Sequence, residues 1–215
     1  MPRHSPEDRL YAQKGGRSAA ERDEFLRAAW RAMVAAAVAP KKLVFVDECG
    51  LHTSLAQIYG YAPKGERLRL SVPRTRGRNT TLLASMTIEG MGPSLAVEGA
   101  TTAGVFEAYI EKVLLANLRA GQIVVMDNLG AHRPKRIREL IEGRGCELIY
   151  LPAYSPDYNP IEEAFSKIKG LLRRAAARSK GALVEAMGVA LSEVSAADAW
   201  CFFEHAGYRP SVQLP

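Results

Sequence analysis

Two stretches, VFVDECGLH at residues 44–52 and VVMDNLGAH at residues 124–132, decide the fold. Each is a run of three apolar residues followed by an aspartate, with a glycine three positions further on and a histidine five. They pair Asp47, Gly50 and His52 with Asp127, Gly130 and His132. Short runs rich in β-branched and aromatic residues read as buried strands. An aspartate closing such a strand is held by the sheet while its carboxylate stays open to solvent. If the two strands are neighbours, about 4.8 Å apart, the carboxylates meet at one point.

Upstream of the first strand, residues 1–17 are polar and without periodicity, an arm. Ser18 and Glu21 then have the spacing of a capping box, and Phe25, Leu26, Ala29, Trp30, Met33, Val34 and Ala37 recur at helical spacing until Pro40. Between the two aspartate strands the runs Leu68 to Val72, Thr80 to Ile88 and Ser94 to Val97 are β-prone. Turns are expected near Pro63-Lys64-Gly65, Arg76-Gly77 and Gly90 to Pro93.

After Thr102 the period becomes helical (Val105, Phe106, Tyr109, Ile110, Val113, Leu114, Leu118) and stops at Gly121, before the strand Ile123 to Met126. A basic helix from about Pro134 to Glu142, a strand Glu147 to Leu151 and the loop LPAYSPDYNP follow. The next helix is expected to be capped by Asn159, with Pro160 in its first position, where a missing N–H costs nothing. Its apolar stripe is Ile161, Phe165, Ile168 and Leu172, and residues 181–206 read as one or two further helices ending at Gly207. This order is α/β with a mixed sheet. The chain divides into an N-terminal arm and helix, 1–40, and one domain, 41–215.

At 215 residues, 47% hydrophobic and 24% charged, the chain has the composition of one soluble globular domain plus a short accessory segment. No apolar run approaches the roughly 18 residues of a membrane helix, and the N-terminus lacks the apolar centre of a secretory signal. Cys49, Cys146 and Cys201 are too far apart for a C-x-x-C motif, so a reduced cytoplasmic protein without structural zinc is expected. The net charge of +6 is concentrated. Residues 64–78 carry +5, residues 167–180 carry +6, and the remainder is therefore −5. Two basic segments on an otherwise acidic chain point to a polyanion, because Lys and Arg clusters release condensed counterions from phosphates.

A third acidic candidate lies in the first turn of the helix after Pro160, as Glu162 or Glu163. Here VDE at 46–48, MDNLGAH at 126–132 and YSPDYNPIEEAFSKIK at 154–169 resemble the signatures of the IS630-like insertion-sequence transposases of the Tc1/mariner superfamily. APKGER at 62–67, RTRGRNTTLLASM at 74–86 and FFEHAGY at 202–208 extend the likeness over roughly residues 40–210. The resemblance implies an RNase H-like mixed five-stranded sheet flanked by helices, carrying a DDE triad of Asp47, Asp127 and Glu162. Glu162 is preferred over Glu163 because the family's carboxylate directly follows Asn-Pro-Ile.

The implied activity is metal-dependent DNA strand cleavage and strand transfer. The implied cofactor is Mg²⁺ or Mn²⁺, as two ions held by the same three carboxylates. Residue chemistry agrees: clustered carboxylates repel one another until cations neutralise them, and oxygen ligands suit these ions. Two ions can activate the attacking oxygen and stabilise the leaving one. Arg74, Arg76, Arg78, Lys167, Lys169, Arg173 and Arg174 are the candidate phosphate contacts. His52 and His132 are candidates for a phosphate contact or a structural hydrogen bond. Double-stranded DNA is the expected partner, bound by a homodimer and giving nucleoid association in a bacterium. Helix-turn-helix domains of the family have no room in the first 40 residues, so an upstream-frame product carrying them is a further expected partner. The rival reading is an inactive transposase remnant that only binds DNA.

Overall fold

The computed structural model describes residues 21–56, 61–67, 69, 79–128 and 135–209. Five strands form one sheet: β1 (Leu43–Leu51), β2 (Thr80–Thr87), β3 (Gly90–Glu98), β4 (Ile123–Met126) and β5 (Glu147–Tyr150), in the order β3-β2-β1-β4-β5. The first three pair antiparallel, and β1–β4 and β4–β5 pair parallel. The helices are α1 (Glu24–Trp30), α2 (Ala103–Tyr109), α3 (Lys135–Gly143), α4 (Ile161–Ala175), α5 (Lys180–Ser192) and α6 (Ala196–His205). None of the described helices is long and apolar enough to cross a membrane.

Because successive strand residues point to opposite faces, β1 serves two cores. Phe45, Cys49 and Leu51 pack with Val125 against α4, α5 and α6, while Val44 and Val46 pack with Val124 and Met126 against α2 and α3. The expected strand Glu147 to Leu151 and the helix after Thr102 are found, the latter capped by the Thr102 hydroxyl and extended by a π-helical turn, Ile110–Leu114. Residues 181–206 fall into two helices, α5 and α6.

Four expectations need correction. First, β1 does not end at Asp47 but continues to Leu51, because β2 pairs with it as far as Leu51–Thr80 after β4 has stopped. Second, the β2–β3 hairpin turns at Ile88-Glu89 rather than Gly90 to Pro93. Gly90 takes φ +131° at the start of β3, and Pro93 is tolerated because β3 is an edge strand with one unpaired side.

Third, α1 is capped by Asp23, whose Oδ1 accepts from the N–H groups of Phe25 and Leu26 at 2.9 and 3.0 Å. Ser18 lies outside the described residues. Fourth, the apolar stripe of that helix is only partly its buried face: Phe25 is 81% and Met33 72% exposed, while Trp30 of the stripe is buried together with Arg27, which is not part of it. Two polar links choose the face, Trp30 Nε1 donating to the Tyr208 hydroxyl at 2.9 Å and Arg27 pairing with Asp157. The π-helical turn Arg31–Ala35 then inserts an extra residue and rotates the following side chains out of phase. The Pro63–Glu66 turn is present, with Gly65 at φ +90° and Glu66 N–H donating to the Pro63 carbonyl. Of the Leu68 to Val72 run only Arg69 is described, and Arg76-Gly77 lies outside the described residues.

The C-terminal helices are tied to α4 by Asp198. Its Oδ2 accepts from Lys167 Nζ at 2.6 Å and from the Ser195 hydroxyl and N–H at 2.6 and 2.9 Å, while Ser195 Oγ accepts the Asp198 N–H, a reciprocal cap. The Lys167 ammonium and the Ser195 donors hold the Asp198 carboxyl down to about 2. A carboxylate depressed in this way contributes stability above its ordinary value of about 3.9, lost as pH falls through the depressed value. Asp198→Asn should therefore lower stability at neutral pH by about 1 kcal/mol. Melting curves of the two proteins should converge as pH falls from about 4 to about 2. A difference unchanged across that window would contradict the assignment.

Candidate active site

Alternation along the central strands positions the first two carboxylates. Phe45 and Val125 are paired in register and face α4, and Val46–Met126 is the last parallel pair. Two residues beyond Phe45 and Val125 come Asp47 and Asp127, side by side on that same face. Asp47 is 6% exposed and Asp127 half-buried. Both line an open cleft of about 540 Å³, together with Glu48, Asn128, Asn159, Glu162 and the loop Leu151–Pro156. It lies beyond the carboxyl ends of β4 and β5, where open α/β sheets bind ligands.

Helix α4 supplies the third carboxylate. Successive residues of a helix point about 100° apart, and this separates Glu162 from Glu163. Glu162 lines the cleft, whereas Glu163 Oε1 lies 2.5 Å from His205 Nδ1 on α6. The expected side-chain cap by Asn159 is absent. Pro160 holds the capping position at φ −63°, and the Glu162 N–H donates to the backbone carbonyl of Asn159 at 3.1 Å. The Asn159 side chain is used elsewhere, its Nδ2 donating to Asp47 Oδ2 at 2.8 Å in a buried contact. With its amide turned toward Asp47, Asn159 does not bring its Oδ1 to the N–H groups of the first turn of α4, the acceptor role that a side-chain cap requires. Asp47 Oδ1 also accepts the Glu48 N–H at 2.7 Å.

The loop between β5 and α4 is held from outside the cleft. Arg27, 1% exposed, meets Asp157 through two hydrogen bonds of 3.0 and 2.5 Å, and its guanidinium stacks 4.1 Å from the Tyr158 ring centre. Tyr208 donates to the Tyr158 carbonyl at 2.7 Å. Burial pushes the Asp157 carboxyl up, but the Arg27 hydrogen bonds and charge outweigh it and hold the group below its ordinary value. Tyr154, at the cleft wall, sits in the left-handed region at φ +55°, a conformation maintained only where surroundings enforce it. By sequence alone Asp157 reads as a turn residue and the α1 face as ordinary packing. The available signal is Arg27, a cation one turn before Trp30.

The basic candidates separate. Arg74, Arg76 and Arg78 lie outside the described residues, as do Gly130 and His132. Lys167 is engaged with Asp198. Lys169, two turns along α4 from Glu162, is half-buried and reaches Cys49 on β1. Burial raises that thiol, and Lys169 opposes the rise. Arg173 is half-buried and Arg174 exposed in the last turn of α4, and neither has an ion pair among the described residues. Arg178 donates to the carbonyls of Thr53 and Leu55 at 3.0 and 2.9 Å, bracing the segment after β1, where Ser54 Oγ and His52 Nδ1 lie 2.9 Å apart.

The donor set of the cleft suits a hard divalent cation. Its acidic ligand candidates offer carboxylate oxygens, and the buried Asn159 Oδ1 in the same cleft accepts no hydrogen bond from the described residues. Glu48 borders the cleft, but on β1 its side chain alternates to the face opposite Asp47. No three acidic, histidine or cysteine side chains among the described residues are close enough to hold an ion as they stand.

The family model described as DDE superfamily endonuclease matches residues 42–184. No curated protein matches the chain. Among solved structures, a pre-cleavage Mos1 transpososome is similar at 15% identity and TM-score 0.68, covering 94% of this chain and 65% of that one. A mariner Mos1 paired-end complex with Mg gives 15% identity, TM-score 0.70 and the same coverages. The catalytic domain of Mos1 mariner transposase gives 16% identity and TM-score 0.53 over 86% of this chain and 84% of that one. The chain thus spans about 65% of the length of the transposases in those complexes, and the shared fold is the RNase H-like mixed sheet.

If Arg27 fixes the loop that carries the cleft wall, Arg27→Ala should cost about 1–3 kcal/mol in urea unfolding, because it removes both hydrogen bonds to Asp157 and the guanidinium stacked on Tyr158, leaving Asp157 only the longer 3.7 Å pairing with Arg22. It should also raise amide exchange across residues 152–158. Unchanged exchange there would show that the loop is held without it.

Proposed function

Because the chain belongs to the DDE superfamily endonucleases, we propose that it is the catalytic domain of an IS630-like transposase that cleaves and joins DNA strands with Asp47, Asp127 and Glu162. The observation that carries this reading is the single cleft shared by two register-matched aspartates and the one glutamate of α4 that faces them. Nothing favours an inactive remnant, and the sequence keeps all three carboxylates that the chemistry needs.

The cleft residues would hold Mg²⁺ or Mn²⁺, with Asp47 and Asp127 on one wall and Glu162 on the other. When bound, such ions supply charge neutralisation, a more acidic attacking oxygen and a stabilised leaving oxygen. The chain contributes position. Asp47 is oriented by two hydrogen bonds and Asp127 by the end of β4, while Glu162 is placed by the first turn of α4. In hydrolysis, water attacks phosphorus and the P–O bond to the 3′ oxygen breaks, with the proton passing to that oxygen. In strand transfer, the freed 3′-hydroxyl attacks the phosphorus of a second phosphodiester, a new P–O bond forms as the P–O bond to that strand's 3′ oxygen breaks, and the proton passes to the leaving 3′ oxygen. No side chain becomes covalently attached to DNA.

Duplex DNA is the proposed partner, and the paired-end Mos1 complexes support a dimer as the working form. Lys169, Arg173 and Arg174 extend the cleft along α4 as a phosphate track, whereas Lys167 would first have to leave Asp198. Arg74, Arg76 and Arg78 are proposed as a second contact segment. Recognition of the element's ends by an upstream-frame product, in a bacterial cell, completes the reading.

Plasmid nicking by the chain in Mn²⁺ should stop in excess chelator. Asp127→Asn should reduce it about a thousandfold, or about 4 kcal/mol in activation free energy, without lowering the melting temperature. Undiminished nicking by the variant would refute the site. Binding to duplexes should weaken steeply with salt. Replacing Lys169, Arg173 and Arg174 together by Ala should flatten the log–log salt slope by about 0.9 for each phosphate no longer neutralised, equally for all sequences. A slope unchanged by the triple substitution would place the DNA elsewhere.

A further inference from the structure

Asn159 is the residue at which two of the proposed metal-ligand elements are tied together. Its side-chain Nδ2 donates to Asp47 Oδ2 at 2.8 Å, and its backbone carbonyl accepts the Glu162 N–H at 3.1 Å. Its own N–H donates to the Pro156 carbonyl at 2.9 Å, which closes the turn before α4. Asn159 is 5% exposed, and no described hydrogen bond reaches its Oδ1; the residue lines the same cleft as the three carboxylates. Pro160 has no N–H to offer, so the first turn of α4 takes its start from the carbonyl of Asn159 rather than from its side chain.

We infer that Asn159 is a positioning residue for the metal centre, a bracket that fixes the Asp47 carboxylate on β1 relative to Glu162 on α4. The inference rests on the reading of Asp47 and Glu162 as metal ligands. The chemistry of the bracket is specific. A carboxamide is neutral, so it orients the Asp47 carboxylate without neutralising it. An aspartate at this position would set one carboxylate against another, and a serine would be too short to span from the turn to β1. The contact joins residues 112 apart in the chain. It therefore holds two ligand-bearing elements in one geometry, as hydrogen-bonded outer partners of metal ligands do.

The test is Mn²⁺ binding to the whole chain, followed by electron paramagnetic resonance, for the unaltered protein, Asp127→Asn, Asn159→Leu and Asn159→Ala. Asn159→Leu keeps the side-chain volume and the backbone carbonyl but removes the donor. Both Asn159 variants should weaken Mn²⁺ binding ten- to hundredfold, the range typical of removing an outer partner of a metal ligand. A residue that only held the loop together would lower the melting temperature without changing affinity. Binding by both variants within twofold of the unaltered chain, when Asp127→Asn no longer binds, would overturn the inference and leave the metal reading standing. Absence of Mn²⁺ binding by the unaltered chain, or undiminished binding by Asp127→Asn, would overturn the metal reading and this inference with it. Should both Asn159 variants fail to fold, a Mg²⁺ titration of the unaltered chain followed by the side-chain amide resonances of Asn159 decides. A saturable shift supports the bracket, and resonances unmoved at saturation overturn it.

Discussion

The parallel pairing of β1 with β4 is the constraint on which the rest of the molecule depends. It sets Val46 against Met126, and so puts Asp47 and Asp127 next to each other at the point where β4 stops and the sheet opens. A slip of one residue in either strand would turn its aspartate to the opposite face, toward α2 and α3, and exchange the two cores as well. Burial and chemistry are therefore specified by the same register. Phe45 and Val125 must face α4 for the core to close, and two positions further the carboxylates must face α4 for the cleft to exist.

Around that register the chain places polar contacts where loops would otherwise be free. The loop from Leu151 to Pro160 is fixed at three points: by Arg27 on Asp157, by Tyr208 on the Tyr158 carbonyl and by Asn159 on Asp47. Two of these contacts come from the extremes of the described chain, α1 and the residues after α6. The terminal segments are thus part of what shapes the cleft. Asp157 is matched by a buried guanidinium, while the Glu48 N–H and the Asn159 amide that donate to Asp47 are neutral groups, which orient a carboxylate without cancelling its charge.

Much of this is legible in the sequence because it is written in local patterns. The strand Ile123 to Met126, the end of the α2 segment at Gly121 and the buried stripe Ile161, Phe165, Ile168 and Leu172 follow from periodicity and turn chemistry, and the structure contains them. The features that periodicity misses depend on partners far away in the chain. The buried face of α1 is chosen by Asp157 and Tyr208, more than a hundred residues downstream, against the count of apolar side chains. Asn159 has the composition of a cap, yet its side chain is turned to the sheet and its Oδ1 does not reach the first turn of α4. The length of β1 beyond Asp47 is set by β2, which no pattern within VFVDECGLH reveals. Neighbouring carboxylates such as Glu162 and Glu163 differ only in helical phase, and residue type alone does not distinguish them.

Those two glutamates are adjacent, chemically identical and assigned opposite fates by the fold, so they put the cleft to its sharpest trial. Glu162→Gln and Glu163→Gln should be compared in Mn²⁺-dependent strand nicking under identical conditions. Glu162→Gln should lose activity about a thousandfold, about 4 kcal/mol in activation free energy, while Glu163→Gln stays within a few-fold of the unaltered chain. Equal losses, or a larger loss for Glu163→Gln, would contradict the claim that this cleft is where DNA is cut.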